Sequence, residues 1–446
     1  MKNKTALLTA TNDDSLTFSI DGEVQEIRHQ LSELKDLLAN KEIQSVQYAE
    51  KIYNIEHIDE ANFGFITGKK AFNEALTKAL LEVMQTQCLP AQKFMERVQT
   101  IPNWESQLRI SNKAKEIIAY SFVGVLGIQL SKLMAIGKED FSESKQTKYI
   151  SKCLDIAAYA LALLNFALLS ALWDHQQKSS LELDEVSLGL IEKRFEHTFE
   201  HSLEERFKLL CALYQLFSQH NISWPLEKLS GLADQMRSDS ELAQNCRTFS
   251  EINDRLDKAQ YTLLDCYEAE QQLAQLLAHL VFLVKYQMAS IKQIGYRQVR
   301  NEAPHYLHRY AALGIDSKAN VDAEKVHYTP DTIFTDAVLL FKGEDYQHSI
   351  NLFPFVIDYN ALTFEHGAKI CFFNARHLED QSLEYLFLED RSIIHLEASG
   401  SLHDATNYNE LMIDDEKRKI LNLDVAVAAF AEAKSTIVQE INFDDL

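Results

Sequence analysis

The spacing of apolar positions changes without a break between residues 23 and 66. Val24, Ile27, Leu31, Leu34 and Leu38 alternate steps of three and four, the rhythm of a helix that buries a narrow a/d seam against a partner helix. That spacing predicts a short helix over 23–39. Val46, Ala49, Ile52, Ile55, Ile58 and Ala61 then recur every three residues. A period of three fits neither an isolated α-helix nor a flat strand. It suits an extended or 3₁₀-like segment wound about an axis, where each apolar residue meets copies of itself. Residues 1–66 therefore read as an assembly module, with Val24, Ile27, Leu31, Leu34, Leu38, Ile52, Ile55 and Ile58 at the interface and Asn54, His57 and Asn62 placed to ladder between copies.

From residue 69 to about 299 the pattern is repeatedly amphipathic at helical spacing. Helices are expected near 69–87, 90–99, 110–137, 145–177, 183–194, 196–219, 225–236 and 249–296. After about Arg300 the character shifts. AVLLFKG (337–343), INLFPFVIDYNAL (350–362), AKICFFNA (368–375), LEYLFLED (383–390) and SIIHLEA (392–398) are short apolar runs bounded by turn-forming residues, the signature of buried strands. A last helix is expected over about 410–438. The expected fold is thus mainly α, an irregular helical bundle over 67–300 followed by a small α+β domain over 301–446.

Composition sharpens this picture in two ways. Only 13 Gly and 6 Pro punctuate 446 residues, which favours long helices. The formal net charge of -22 argues against broad phosphate-backbone binding, which needs clustered Lys and Arg, and against attachment to anionic lipid. No nucleic-acid partner is expected; protein partners are. The six cysteines, Cys88, Cys153, Cys211, Cys246, Cys266 and Cys371, form no CxxC pair, and the N-terminal run MKNKTALLTATNDD has no apolar stretch of signal-sequence length. Both point to a reducing cytoplasm, with the thiols acting as small buried apolar groups.

Candidate chemistry is sparse. His197, Glu200 and His201 match HxxEH, which on a helix sets two zinc ligands and a general base on one face; Glu268 or Glu270 could supply a third ligand. The surrounding run KRFEHTFEHSLEER reads instead as a solvated helix face, so a zinc hydrolase is an alternative and no catalytic residue is assigned. Gly64 to Lys70 (GFITGKK) lacks one spacer and the hydroxyl of a phosphate loop. Residues 117–136 and 154–173 are long enough to cross a hydrocarbon core, which makes a membrane-perturbing effector a second alternative. However, Gln129, Lys132, Asp155 and Asn165 interrupt them, and such groups are expensive in lipid. His305, His308, Asp316, His327 and Asp336 form a loose polar group, and His366 and His377 flank an expected strand. No dinucleotide, GxSxG or Cys–His signature occurs, so no metal and no cofactor is expected.

The run AEKIYNIEHIDEANF (49–63), behind a short helix and ahead of a larger domain, resembles the small N-terminal effector-associated modules of bacterial conflict (antiphage defence) proteins. The resemblance covers about residues 20–66. It implies like-with-like contacts that bring sensors, regulators and effectors together. No NTPase, caspase, TIR, nuclease or kinase signature is found in the rest of the chain. What is expected is a non-enzymatic regulator, adaptor or sensor component that forms homo-oligomers and engages a protein partner of the same system.

Overall fold

The chain divides into two compact units, residues 1–71 and 72–446. This computed structural model describes residues 7–10, 15–19, 45–48 and 54–55 of the first unit. In the second it describes residues 72–438, apart from 102–103, 105–106, 140–141, 197–201, 315–323, 330–336, 378–381 and 398–414.

In the first unit, four strands form one sheet in the order β1 (Leu7–Ala10), β2 (Ser15–Ser19), β3 (Ser45–Tyr48) and β4 (Asn54–Ile55). The outer pairs are antiparallel and β2–β3 is parallel, with Val46 opposite Ile55. The described pieces of the period-three segment are extended. Ile55 is the one expected interface residue among the described residues; Val24, Ile27, Leu31, Leu34, Leu38, Ile52 and Ile58 lie outside them, as does the helix expected over 23–39.

The second unit is mainly helical. In chain order come α1 (Glu74–Met84), α2 (Leu89–Val98), α3 (Leu108–Ser121), α4 (Gly124–Ile136), α5 (Glu143–Gln176), α6 (Glu185–Phe195), α7 (Leu203–Gln219), α8 (Glu241–Asp257) and α9 (Leu263–His279). The axis of the bundle is α5. Ile156, Ala157, Ala160, Leu161, Leu163, Leu164, Phe166, Ala167, Leu168 and Leu169 are all buried, so this stretch is apolar on every face, and such a helix needs neighbours all round. It finds them in α4, α7, α8, α9 and the last helix, α11 (Asp415–Val438). Among the described residues α5 alone is long and apolar enough to span a membrane, and 83% of its apolar window is buried inside the protein.

Strands follow α9 through a 3₁₀ turn. A five-stranded antiparallel sheet has the order β7-β6-β5-β8-β9, built from β5 (Tyr286–Arg297), β6 (His305–Leu313), β7 (Glu324–Thr329), β8 (Val338–Lys342) and β9 (Asp345–Asn351). A four-stranded antiparallel sheet follows: β10 (Val356–Asp358), β11 (Ile370–Arg376), β12 (Leu383–Phe387) and β13 (Ile393–Leu396), with the short helix α10 (Tyr359–Leu362) after β10. Each apolar run expected over 337–398 contains strand, although 350–362 supplies only the end of β9 and the short β10 before turning into helix α10.

Two expectations are corrected. The helix expected over 110–137 breaks at Phe122 and Val123, whose backbones are extended. The helix expected over 249–296 is two helices and a strand: Ala259 takes a positive φ of 55°, Thr262 and Asp265 form a capping box that restarts the chain as α9, and β5 begins at Tyr286. Residues 72–446 form one compact unit, mainly α with an α+β C-terminal part. Helices and strands share one core there: Phe166 of α5 stacks on Phe355 at 5.9 Å and meets Phe372 of β11 edge-on at 5.4 Å. Phe430 of α11 closes on Phe373 at 4.3 Å.

Candidate metal centre

The β11–β12–β13 ladder alternates inward and outward residues. On the core side Leu383, Tyr385 and Leu396 are buried, and the Tyr385 hydroxyl donates to the Pro354 carbonyl at 2.7 Å. The other face carries Glu384, directly opposite His395 of β13 in the antiparallel register. His377 follows β11, and its N–H donates to the Ser382 carbonyl at 2.9 Å, closing the β11–β12 connection. One ligand atom from each of His377, Glu384 and His395 lies within 4.8 Å of the others. His377 Nε2 is 3.3 Å from Glu384 Oε2, and the two imidazole centroids are 5.7 Å apart. The His377 and Glu384 side chains are 31% and 16% exposed, and His395 is exposed. The site faces outward.

A β-bulge shapes it. Phe373 pairs with Tyr385 and Ala375 with Glu384, so Asn374 is the extra residue on β11. A bulge re-aims side chains locally; here Asn374 Nδ2 donates to Glu384 Oε1. Arg194 of α6 fixes the bulge from the core side, donating to the Phe373 carbonyl at 2.6 Å and the Asn374 carbonyl at 3.1 Å. Its guanidinium lies over the Phe373 and Phe166 rings, at 4.7 and 5.2 Å. Burial, with Arg206 nearby, pushes the Arg194 side chain well below the usual arginine range.

Two imidazoles and one carboxylate make a donor set able to hold a divalent transition metal with a coordination position to spare. Among the described residues this is the one group of three or more His, Cys, Asp or Glu side chains that converges in this way.

The chain matches no family model, no curated protein and no solved structure.

The other expected site residues fall elsewhere. His197, Glu200 and His201, and the loop Gly64 to Lys70, lie outside the described residues. The two carboxylates considered as third zinc ligands have other partners. Glu268 pairs with Arg255 at 2.7 Å. Glu270 is buried and accepts from the Asn73 and Leu76 amides at 3.0 Å each and from the Tyr149 hydroxyl at 2.7 Å, capping α1 from a distant helix. His308 pairs in register with His327 across β6–β7, while Asp316 and Asp336 lie outside the described residues. Cys153, Cys246, Cys266 and Cys371 are buried, and burial pushes the Cys211, Cys246 and Cys266 thiols up to about 12. None is a reactive thiolate at neutral pH.

Of the converging trio, the sequence singled out only His377. Glu384 and His395 are 7 and 18 positions further along, a separation without ligand spacing. The usable signal is the period-two alternation of 383–396, which puts both on the outward face once a hairpin is assumed.

Proposed function

We propose that this protein is a non-enzymatic, self-assembling regulator or adaptor of a bacterial antiviral defence system, acting in the cytoplasm through residues 23–66 and a protein partner of the same system. One observation carries the reading: residues 1–71 form a compact unit of their own, and it is in that unit that the a/d and period-three patterns occur. A separate unit can present its seam to copies of itself, whereas a stripe within the main core would be spent on intramolecular packing. The acidic balance of 44 basic against 66 acidic residues supports a protein partner rather than nucleic acid or anionic lipid. The burial of α5 supports a core role for the most apolar helix over release into a membrane: withdrawing it would expose the side chains that hold the bundle together.

Transplantation tests this. Residues 1–71 fused to a monomeric carrier are expected to make the carrier assemble, and Leu31→Asp with Leu34→Asp to return it to monomer in size-exclusion chromatography with light scattering. A carrier that stays monomeric would sink the reading.

A further inference from the structure

We propose that His377, Glu384 and His395 bind one divalent transition-metal ion, zinc by preference, on the outward face of the β11–β12–β13 sheet. The site goes beyond the assembly reading and does not depend on it.

The donor chemistry comes first. Imidazole nitrogen suits zinc and its first-row neighbours, whereas magnesium and calcium take oxygen donors. Three protein ligands leave the fourth tetrahedral position to water or to a donor from another molecule.

The geometry agrees. Bonds of about 2.0–2.1 Å around a tetrahedral ion place neighbouring ligand atoms about 3.3 Å apart. His377 Nε2 and Glu384 Oε2 already stand 3.3 Å apart. The exposed His395 ring lies directly across the ladder from Glu384, so rotation about its side-chain bonds, without backbone movement, brings its nitrogen in from within the 4.8 Å envelope.

The surroundings orient the ligands. Metal-binding carboxylates are typically held by hydrogen bonds on the oxygen turned away from the ion. Asn374 holds Glu384 Oε1, which leaves Oε2 turned to His377. Asn374 is in position only because the strand bulges there, and the bulge carbonyls are held by Arg194, an arginine taken out of water. Burying a guanidinium is costly. A solvent-accessible His–Glu contact alone contributes roughly 0–1 kcal/mol, little return for such a support. A bound ion gives the bulge, the amide and the arginine a common purpose. We therefore assign Asn374 as a positioning residue.

The test uses the full-length protein, stripped with chelator and dialysed, then titrated with Zn²⁺ by calorimetry and with Co²⁺ by visible absorption. The expected result is one zinc per chain, tetrahedral-type cobalt bands, and no response to Mg²⁺. His377→Ala is expected to abolish binding. His395→Gln, an exposed change on an edge strand, and Asn374→Ala are each expected to weaken it at least 10-fold while the metal-free melting temperature stays within a few degrees. His197→Ala with His201→Ala is expected to leave binding unchanged. The proposal is overturned if the wild-type chain binds no zinc, if the 377 and 395 substitutions leave stoichiometry and affinity unchanged, or if binding is lost in the 197/201 variant instead. A purely structural Asn374 would shift melting and leave zinc affinity alone.

Discussion

At the scale of single residues, the buried carboxylate of Glu270 shows how polar chemistry is used here to build rather than to react. Asn73, at the start of α1, takes a positive φ of 71° and gives α1 no side-chain cap, so orphan amides at the first turn need an acceptor from elsewhere. Glu270 of α9 supplies it. Tyr149 has one hydroxyl proton but faces two acceptors, Asn73 Oδ1 at 2.8 Å and Glu270 Oε2 at 2.7 Å. Burial, the dominant influence, pushes the Glu270 carboxyl above its ordinary value of 4.5. Between that value and the raised one, the native state keeps a proton that the unfolded chain has released, so stability falls as pH rises through the window. Glu270→Gln, neutral at every pH, is expected to flatten that slope in urea denaturation across a pH series; an unchanged slope would contradict the assignment. Glu270→Ala strands two buried amides and is expected to cost about 2–3 kcal/mol.

At the scale of elements, the close approach of α3, α4 and β6 rests on two glycines. A Cβ on Gly124 would lie 1.7 Å from the Leu313 carbonyl oxygen, and one on Gly127 would lie 2.2 Å from that of Ala119. Backbone cannot yield as a flexible side chain can, so Gly124→Ala is expected to destabilise by about 3 kcal/mol. Gly189, inside α6 with nothing within 4 Å of an added Cβ, gives the opposite sign: Gly189→Ala is expected to stabilise by about 1 kcal/mol. Thermal melts of the two variants decide both. The same region shows what the sequence made legible. The long helices were readable because charge and apolar spacing set one face against the other, and the strands of 338–396 because turn residues bracket each apolar run. The break at Phe122 was not readable: Val123, Val125 and Leu126 continue the apolar run across it, so no periodicity marks the turn. Strand β5 was hidden for a related reason. Tyr286, Met288, Ala289, Ser290 and Ile291 are all buried, and a strand whose first half is buried on both faces carries no clean alternation there. Nor was the candidate metal centre readable as a set, since cross-strand register and a one-residue bulge, not chain spacing, bring His377, Glu384 and His395 together.

At the scale of the whole molecule, the chain consists of one large unit with a dominant core and one small unit with its own sheet. The larger unit keeps its most apolar helix, α5, at the centre of a core shared with the four-stranded sheet and one face of the five-stranded sheet, whose other face forms a second, smaller cluster around Ile291, Leu339 and Phe341. The small unit carries the patterns on which the proposed assembly rests. The measurement that bears most directly on this division of labour is the solution mass, by light scattering over a concentration series, of the full-length chain beside residues 72–446 alone. The account predicts that the full-length chain assembles and that 72–446 stays monomeric and folded; a full-length monomer, or equal assembly without residues 1–71, would contradict it.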